Sequence, residues 1–564
     1  MATKIHTTEG WLYDPIHPDL EQWPIVKLNK IKPEFLLELE EFAVEAVKEK
    51  LGNKPEALRE ELARTLFHER IRVNQKAWKA DRKDEKDFWS QIKRELMKIE
   101  ETDASDGVAE EALMRKILKR YVHEISSEFD PKAYKFAKWV STTLFARLLN
   151  ASQGKGISRF WKTKKHLHER IHLDGETDQL RALAKEGTVV MVPTHFSNVD
   201  SILVGWAIQS LGLPPFTYGA GLNLFGIKLL AYFMNRLGAY KVDRRKKNRL
   251  YLEALKGYSI LSLTKGCHGL FFPGGTRSRS GAIEKKLKLG LLSSAIEAQR
   301  MNYMQDGAEA KKIFVCPVVI NYNFVLEAKG LIDQHLRISG KEKYYVENDD
   351  YSTSYKIGLF LMRFFSAKAE MSITYGRCMD LFGNDVNDEG VSLDRNGNQV
   401  EIEKYFTTDG KITKDPQRDG EYTSYLSKEI VNRFHKENLV LPSILIAFTG
   451  YQILSKRYHK LDLFAIIRLP EEDRIIGKEE FKTALGKLVD QLHEIHSEGG
   501  VRLSEHILDK NLDKILEVGL ESINTYHAKK PLKVLENGDL SSEDMKVMYF
   551  YHNRLTGYDL HRYV

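Results

Sequence analysis

The sequence predicts an α/β protein: a central mixed, largely parallel sheet flanked by helices, set between an N-terminal and a C-terminal helical region. Three observations lead there. Short β-branched runs bounded by turn residues, TVVMVP (188–193), HGLFFP (268–273), IFVCPVVI (313–320) and MSITYG (371–376), alternate with helical stretches, which is the pattern of strands joined by crossover helices. The first 150 residues repeat apolar side chains every three or four positions and carry almost no strand signal. From about Tyr422 to Val564 the helical spacing returns.

A chain of 564 residues divides, at roughly 100 to 200 residues per domain, into two to four units. The composition shifts set the expected boundaries: a helical domain over 1–150, an α/β domain over 151–382, a polar linker or hairpin over 383–421 and a helical domain over 422–564. In PEFLLELEEFAVEAVKEKLG, Pro33 occupies a first turn, Phe35, Leu36, Leu39, Phe42, Ala43 and Val47 share a face, and Gly52 follows as a stop. Several such helices imply a bundle. The segment after Asp380, with NDVNDEG, DRNGNQ and TTDGKITKD, is turn-rich and reads as a surface hairpin or linker.

Two uncharged stretches are weighed as membrane spans. Ser201 to Ile227 is broken by Pro214, Pro215 and several glycines, so it is not one continuous helix of the roughly 20 residues a span needs. Its Trp206, Phe216, Tyr218 and Phe225 suit an acyl groove, a lipid interface or plain core packing equally well. Asn438 to Ser455 contains Pro442, Gly450 and Gln452 and reads as a buried or interfacial helix.

Composition narrows the class further. Hydrophobic residues at 42% and charged residues at 29%, with a negative mean hydropathy, fit an ordinary globular chain and argue against many membrane spans. Three cysteines, Cys267, Cys316 and Cys378, show no paired spacing and support neither a disulfide framework nor a zinc site. The opening MATKIHTTEGWLYDPIHPDL lacks a secretory apolar run and is too acidic for a transit peptide. A reducing, cytosolic location is the expectation. Net charge is +7, but Gly226 to Gly290 alone carries fifteen Lys and Arg against three Asp and Glu. Such a local field suits a phosphate ester, a coenzyme or a lipid headgroup. Nucleic acid is not expected, because no groove-reading or aromatic-interleaved motif accompanies it.

Chemistry concentrates in four segments. Directly after TVVMVP come Thr194, His195, Phe196, Ser197, Asn198, Val199 and Asp200. Five helical steps rotate about 140°, so His195 and Asp200 meet only with the histidine on the turn and the aspartate in the first helical turn. A carboxylate on one ring nitrogen leaves the other free to take a proton, the arrangement of a general base. A capping aspartate satisfies the same spacing. In the second segment, Phe271 to Gly281, Gly274 and Gly275 let the backbone approach a ligand, and Thr276, Arg277, Ser278 and Arg279 follow with two forked cationic donors. It lacks the lysine and hydroxyl of a P-loop and the dinucleotide glycine spacing. Gly238 to Arg245 adds Arg244 and Arg245, and Val315 to Tyr322 is an apolar strand that reads as core.

Taken in order, these segments resemble the glycerolipid acyltransferase family, whose blocks are His-x-x-x-x-Asp, Gly-x-x-Phe-Ile-x-Arg, Phe-Pro-Glu-Gly-Thr-Arg-Ser-Arg and Val-Pro-Val. The likeness covers roughly Thr188 to Tyr322, with MSITYGRCMDL as a further tail. Asn248 to Tyr251 and Tyr322 to Glu327 look most like the larger glycerol-3-phosphate acyltransferases. The sequence departs where Gly274 replaces the third-block glutamate, and at Lys241 and Asp243 in the second block.

The resemblance implies an acyltransferase fold and transfer of a fatty acyl group from acyl-CoA or acyl carrier protein to the first hydroxyl of glycerol 3-phosphate. No cofactor is implied beyond that co-substrate. His195 and Asp200 would be catalytic, and Arg244, Gly274, Gly275, Thr276, Arg277, Ser278 and Arg279 would bind substrate. Arg245, Lys246 and Lys247 would meet coenzyme phosphates or anionic lipid, and backbone amides near Gly274 and Gly275 would face the oxyanion. A peripheral position on the cytoplasmic side of a membrane follows from lipid substrates. The alternatives are acylation of 1-acylglycerol 3-phosphate or dihydroxyacetone phosphate, or a non-catalytic lipid-binding scaffold. All of these require the imidazole and the third-block guanidinium groups to face one pocket.

Overall fold

A computed structural model describes residues 13–75, 77–102, 107–136, 171–222, 234–340, 371–525 and 527–564. The N-terminal helices are α1 (Pro24–Lys30), α2 (Lys32–Lys50), α3 (Pro55–Asn74), α4 (Glu85–Thr102) and α5 (Val108–Ile125). In α2 the residues Phe35, Leu36, Leu39, Ala43 and Val47 are buried as their spacing demands, and Gly52 follows at φ +66°, a left-handed stop that glycine adopts without steric penalty.

The described residues also form a seven-stranded sheet from β1 (Ile171–Gly175), β2 (Thr188–Pro193), β3 (Thr217–Gly221), β4 (Ala239–Val242), β5 (Gly269–Leu270), β6 (Ile313–Tyr322) and β7 (Met371–Tyr375). Their order is β1-β7-β6-β2-β5-β3-β4. Strands β6, β2, β5, β3 and β4 run parallel, and β7 is antiparallel to β6, so the sheet is mixed and largely parallel. All ten residues of β6 and all six of β2 are buried, as expected of central strands covered on both faces. The HGLFFP run forms a ladder only at Gly269–Leu270, and Phe271 and Phe272 already belong to the following loop.

Helices α6 (Thr177–Glu186), α7 (Asp200–Ser210), α8 (Arg249–Thr264), α9 (Leu289–Asp306) and α10 (Ala328–Ser339) connect or cover the strands. Within the uncharged stretch, Trp206 and Phe216 are each 3% exposed and lie in the main core, so core packing prevails over a lipid-facing surface for these two rings. Phe225 lies outside the described residues.

The N-terminal helices pack on α8, sharing a core that includes Leu39, Val44, Ile117 and Tyr121 on one side and Leu250, Tyr251 and Tyr258 on the other. A buried ionic cluster runs through the same contact. Arg72 pairs with Glu69 at 2.6 Å and with Glu85. The cluster reaches the loop after β4, where Arg245 pairs with Asp243 at 2.8 Å and with Asp81, and lies 3.8 Å over the Trp78 ring. Lys246 is buried against Glu124. Two of the three cations expected to meet coenzyme or lipid are therefore engaged inside the protein, because α4, α5 and their connections bring carboxylates to them. Lys247 alone of the three is exposed.

C-terminal helices α11 (Pro416–Lys436), α12 (Pro442–Arg457), α13 (Lys478–Ser497), α14 (Leu512–Asn524) and α15 (Met545–His552) follow short hairpins at Asp385–Val386 with Ser392–Leu393 and at Thr407–Thr408 with Lys411–Ile412. Helix α12 is buried from Pro442 to Tyr451 and packs against α13, α14 and α15, while α15 packs on α10. Residues of α12, α13 and α15 share one hydrophobic core with β2, β6 and α7. Among the described residues no helix is long and apolar enough to cross a membrane.

Candidate active site

In a parallel sheet the loops leaving the carboxyl ends of the strands line one edge, the usual place for a ligand. Here β2 delivers His195, β5 the glycine and arginine loop, β4 Arg244, and β6 Tyr322 and Glu327 to that edge. Because β5 and β6 are the two neighbours of β2, the third and fourth motif loops flank the histidine turn. Strand β4 lies three positions from β2, roughly 14 Å at about 4.8 Å per strand.

Asp200 is the first residue of α7 and His195 stands on the turn before it. The fully buried aspartate folds back over its own entry turn. Its Oδ2 accepts the His195 ring at Nδ1 (2.7 Å), the Phe196 N–H (2.6 Å) and the Ser197 N–H (2.9 Å), and Oδ1 accepts the Tyr322 hydroxyl. An oxygen already receiving two amide protons acts as an acceptor, so Nδ1 carries the hydrogen and Nε2 is left with its lone pair. The ring stacks on Phe272 with centroids 4.2 Å apart, and its side chain is 19% exposed. Replacing Tyr322 with phenylalanine leaves Oδ1 without its buried donor. The expected loss is about 1–3 kcal/mol of stability and, with Asp200 less firmly held, roughly tenfold in turnover. Denaturant midpoints and kcat check this, and an unaltered kcat would mean that the backbone amides suffice.

The third-block loop closes on the same turn. Ser278 N–H donates to the His195 carbonyl at 2.7 Å, and Glu327 links the two motifs. This buried carboxylate, its pKa raised by burial, accepts the Asn198 N–H at 2.9 Å and the Ser197 hydroxyl at 3.1 Å. Its Oε1 also lies 3.6 Å from Arg277 Nη1. Arg277 therefore shares the histidine's side of the sheet, as one common pocket requires. Arg279 is half-buried and sits close enough to His335 of α10 to add to the burial that lowers that histidine's pKa. Thr276 is exposed. Ser278 Oγ donates to the Ala282 carbonyl at 2.7 Å, so it shapes the loop. Gly275 adopts φ +77°, and its N–H donates to the Phe272 carbonyl at 3.0 Å. That amide is closed into a turn, so of the two glycine amides expected to face an oxyanion the Gly275 N–H is already engaged. Arg244 is exposed and set apart by the strand spacing.

Two groups at the site escaped the sequence reading. Glu284 is half-buried with its Oε2 shielded from solvent, its pKa is pushed up to about 7 by desolvation, and its Oε1 accepts the His195 N–H at 3.4 Å. As one of three acidic residues in the basic stretch, it was a visible anomaly. Arg554, just beyond α15, donates to the Ile320 carbonyl at 2.9 Å and to Asn321 Oδ1 at 3.3 Å. Its guanidinium lies 3.5 Å over the Phe196 ring. Burial pulls its pKa down to about 10, against the opposing pull of Glu284 and Asp200. No local pattern announces it. Among the described residues no group of His, Cys, Asp and Glu side chains could hold a metal ion.

Comparison with known proteins agrees with this geometry. Residues 174–321 match the model of the family described as Acyltransferase. A glycerol-3-phosphate acyltransferase of Histophilus somni is 29% identical over 240 residues, which is 42% of this chain and 27% of the relative. Proteins of the same name from Shewanella baltica and Shewanella loihica are each 26% identical over 45% of this chain and 28% of theirs. The matches thus span little more than a quarter of those relatives' length. Motif geometry and family match thus agree over residues 174–321, the part of this chain that is similar to the acyltransferase family.

Proposed function

We propose that the protein is a glycerol-3-phosphate O-acyltransferase that moves a fatty acyl group from acyl-CoA or acyl carrier protein to the sn-1 hydroxyl, giving lysophosphatidate. The observation that carries this reading is the convergence of a carboxylate-held imidazole and Arg277 on one turn through Glu327. His195 Nε2 takes the hydroxyl proton as the oxygen attacks the thioester carbonyl. The tetrahedral intermediate then collapses, and the imidazolium returns the proton to the departing thiolate. No acyl-enzyme is required. General-base help supplies about 10²- to 10⁴-fold, and the remainder comes from positioning and from donors such as the Gly274 N–H toward the oxyanion.

Arg277 and Arg279 face the acceptor phosphate in this reading, and Arg244 and Lys247 suit more distant phosphates of the donor or an anionic lipid surface on the cytoplasmic side of a membrane. The test is purified protein with labelled glycerol 3-phosphate and each donor type, with 1-acylglycerol 3-phosphate and dihydroxyacetone phosphate as competing acceptors. Labelled lysophosphatidate supports the proposal, and selective use of another acceptor replaces it. Arg277→Ala should raise the KM for glycerol 3-phosphate at least roughly tenfold, the effect of losing a charge-assisted bond worth about 1.5–3 kcal/mol, with little change in the KM for the acyl donor. Equal changes in both would remove the phosphate role.

A further inference from the structure

Gly274 stands where the resembling family carries a glutamate, and the backbone does not explain the glycine. Its φ lies outside the left-handed region that Gly275 and Gly281 adopt, so any L-residue fits the conformation. Space is what is missing. A Cβ at position 274 would stand 2.9 Å from Glu284 Oε1 and 3.0 Å from Glu284 Cγ, so the Glu284 side chain would have to move from where it holds the His195 N–H. Glu284 comes from ten residues further along the chain, and its carboxylate fills the volume through which a side chain at 274 would pass.

We propose that Glu284 is a positioning residue that supplies, from outside the third block, the carboxylate missing at position 274. The proposal rests on the acyltransferase reading of the site. The carboxylate holds the catalytic histidine at its backbone N–H. Asp200 fixes the ring at Nδ1, Ser278 N–H fixes the carbonyl, and Glu284 accepts the His195 N–H. Arg554 lies close enough for its charge to be felt by both Glu284 and Asp200, and it donates to the Ile320 carbonyl from the C-terminal side. Both peptide faces of residue 195 and its ring are thereby restrained.

Exchange of the two positions tests the idea, using the full chain. Glu284→Ala should lower kcat for glycerol 3-phosphate acylation roughly 10²-fold, the scale of a small misplacement of the reacting group, with KM values little altered. Gly274→Glu alone should melt lower than wild type, because two side chains contend for one space. The double variant Gly274→Glu/Glu284→Ala should regain the melting temperature that Gly274→Glu loses and at least a tenth of wild-type kcat. A double variant that melts well but stays as slow as Glu284→Ala would overturn the positioning role. If Gly274→Glu melts like wild type, the two side chains do not share space and the proposal falls irrespective of activity. A wild-type protein inactive with every donor and acceptor would sink the acyltransferase reading instead, while the melting comparison still decides whether the space is shared.

Discussion

His195→Ala should lower the proposed acyl transfer by at least about 10³-fold and leave the fold intact. The size follows from what the imidazole does that no neighbour can repeat. Its Nε2 is the one basic atom oriented by Asp200, whereas Ser197 is bonded to Glu327 and Cys316 and Cys378 are buried in the sheet region. The stability cost is small, because Asp200 keeps the Phe196 and Ser197 amides and the Tyr322 hydroxyl. The ring loses mainly its stacking on Phe272. Turnover of the purified variant, with circular dichroism and a melting curve beside it, decides the matter. Near-normal turnover would strip His195 of the base role.

Arg554→Ala has the largest expected effect on stability, about 3–5 kcal/mol, because it gives up two hydrogen bonds from a charged donor at about 1.5–3 kcal/mol each together with a buried ring contact. Arg554 is 5% exposed, and loss of its guanidinium abandons the Ile320 carbonyl and Asn321 side chain. It also removes a positive charge whose field reaches Glu284 and Asp200. Lysine should rescue poorly, since a compact ammonium reproduces neither the planar stacking on Phe196 nor the forked donors. The check is the denaturant midpoint together with kcat. A variant that unfolds with wild type would mean that the C-terminal helices pack against the sheet without bracing the site.

This second effect also explains why the last helices belong in an account of the active site. Gly281 adopts φ +84° with its α-carbon so close to α15 that a Cβ would stand 2.1 Å from the Phe550 carbonyl oxygen. Asn553 donates to the Ser280 carbonyl at 2.9 Å, and the Tyr551 hydroxyl accepts the Val325 N–H at 2.8 Å. The loops after β5 and β6 are thus both held from the far end of the chain. The N-terminal helices act likewise on the loop after β4, where Asp81 and Glu124 hold Arg245 and Lys246.

Much of the chemistry was readable residue by residue. Five positions separate His195 from Asp200, and the rotation of a helix within that interval leaves one way for them to meet, which the turn after β2 adopts. The strand runs and the α2 stripe were legible for the same reason: periodicity and turn preference act between residues a few positions apart. Folding alone chose the partners of the long charged side chains. Arg245 and Lys246 looked available because Asp81 and Glu124, which join the neighbouring Asp243 in holding them, lie more than a hundred residues upstream in the chain. Gly274 looked like a loss because Glu284 reaches its space only after the loop closes. Arg554 had no signal at all, since a guanidinium finds its carbonyls and its ring only where packed elements bring them, and no local pattern encodes that distance.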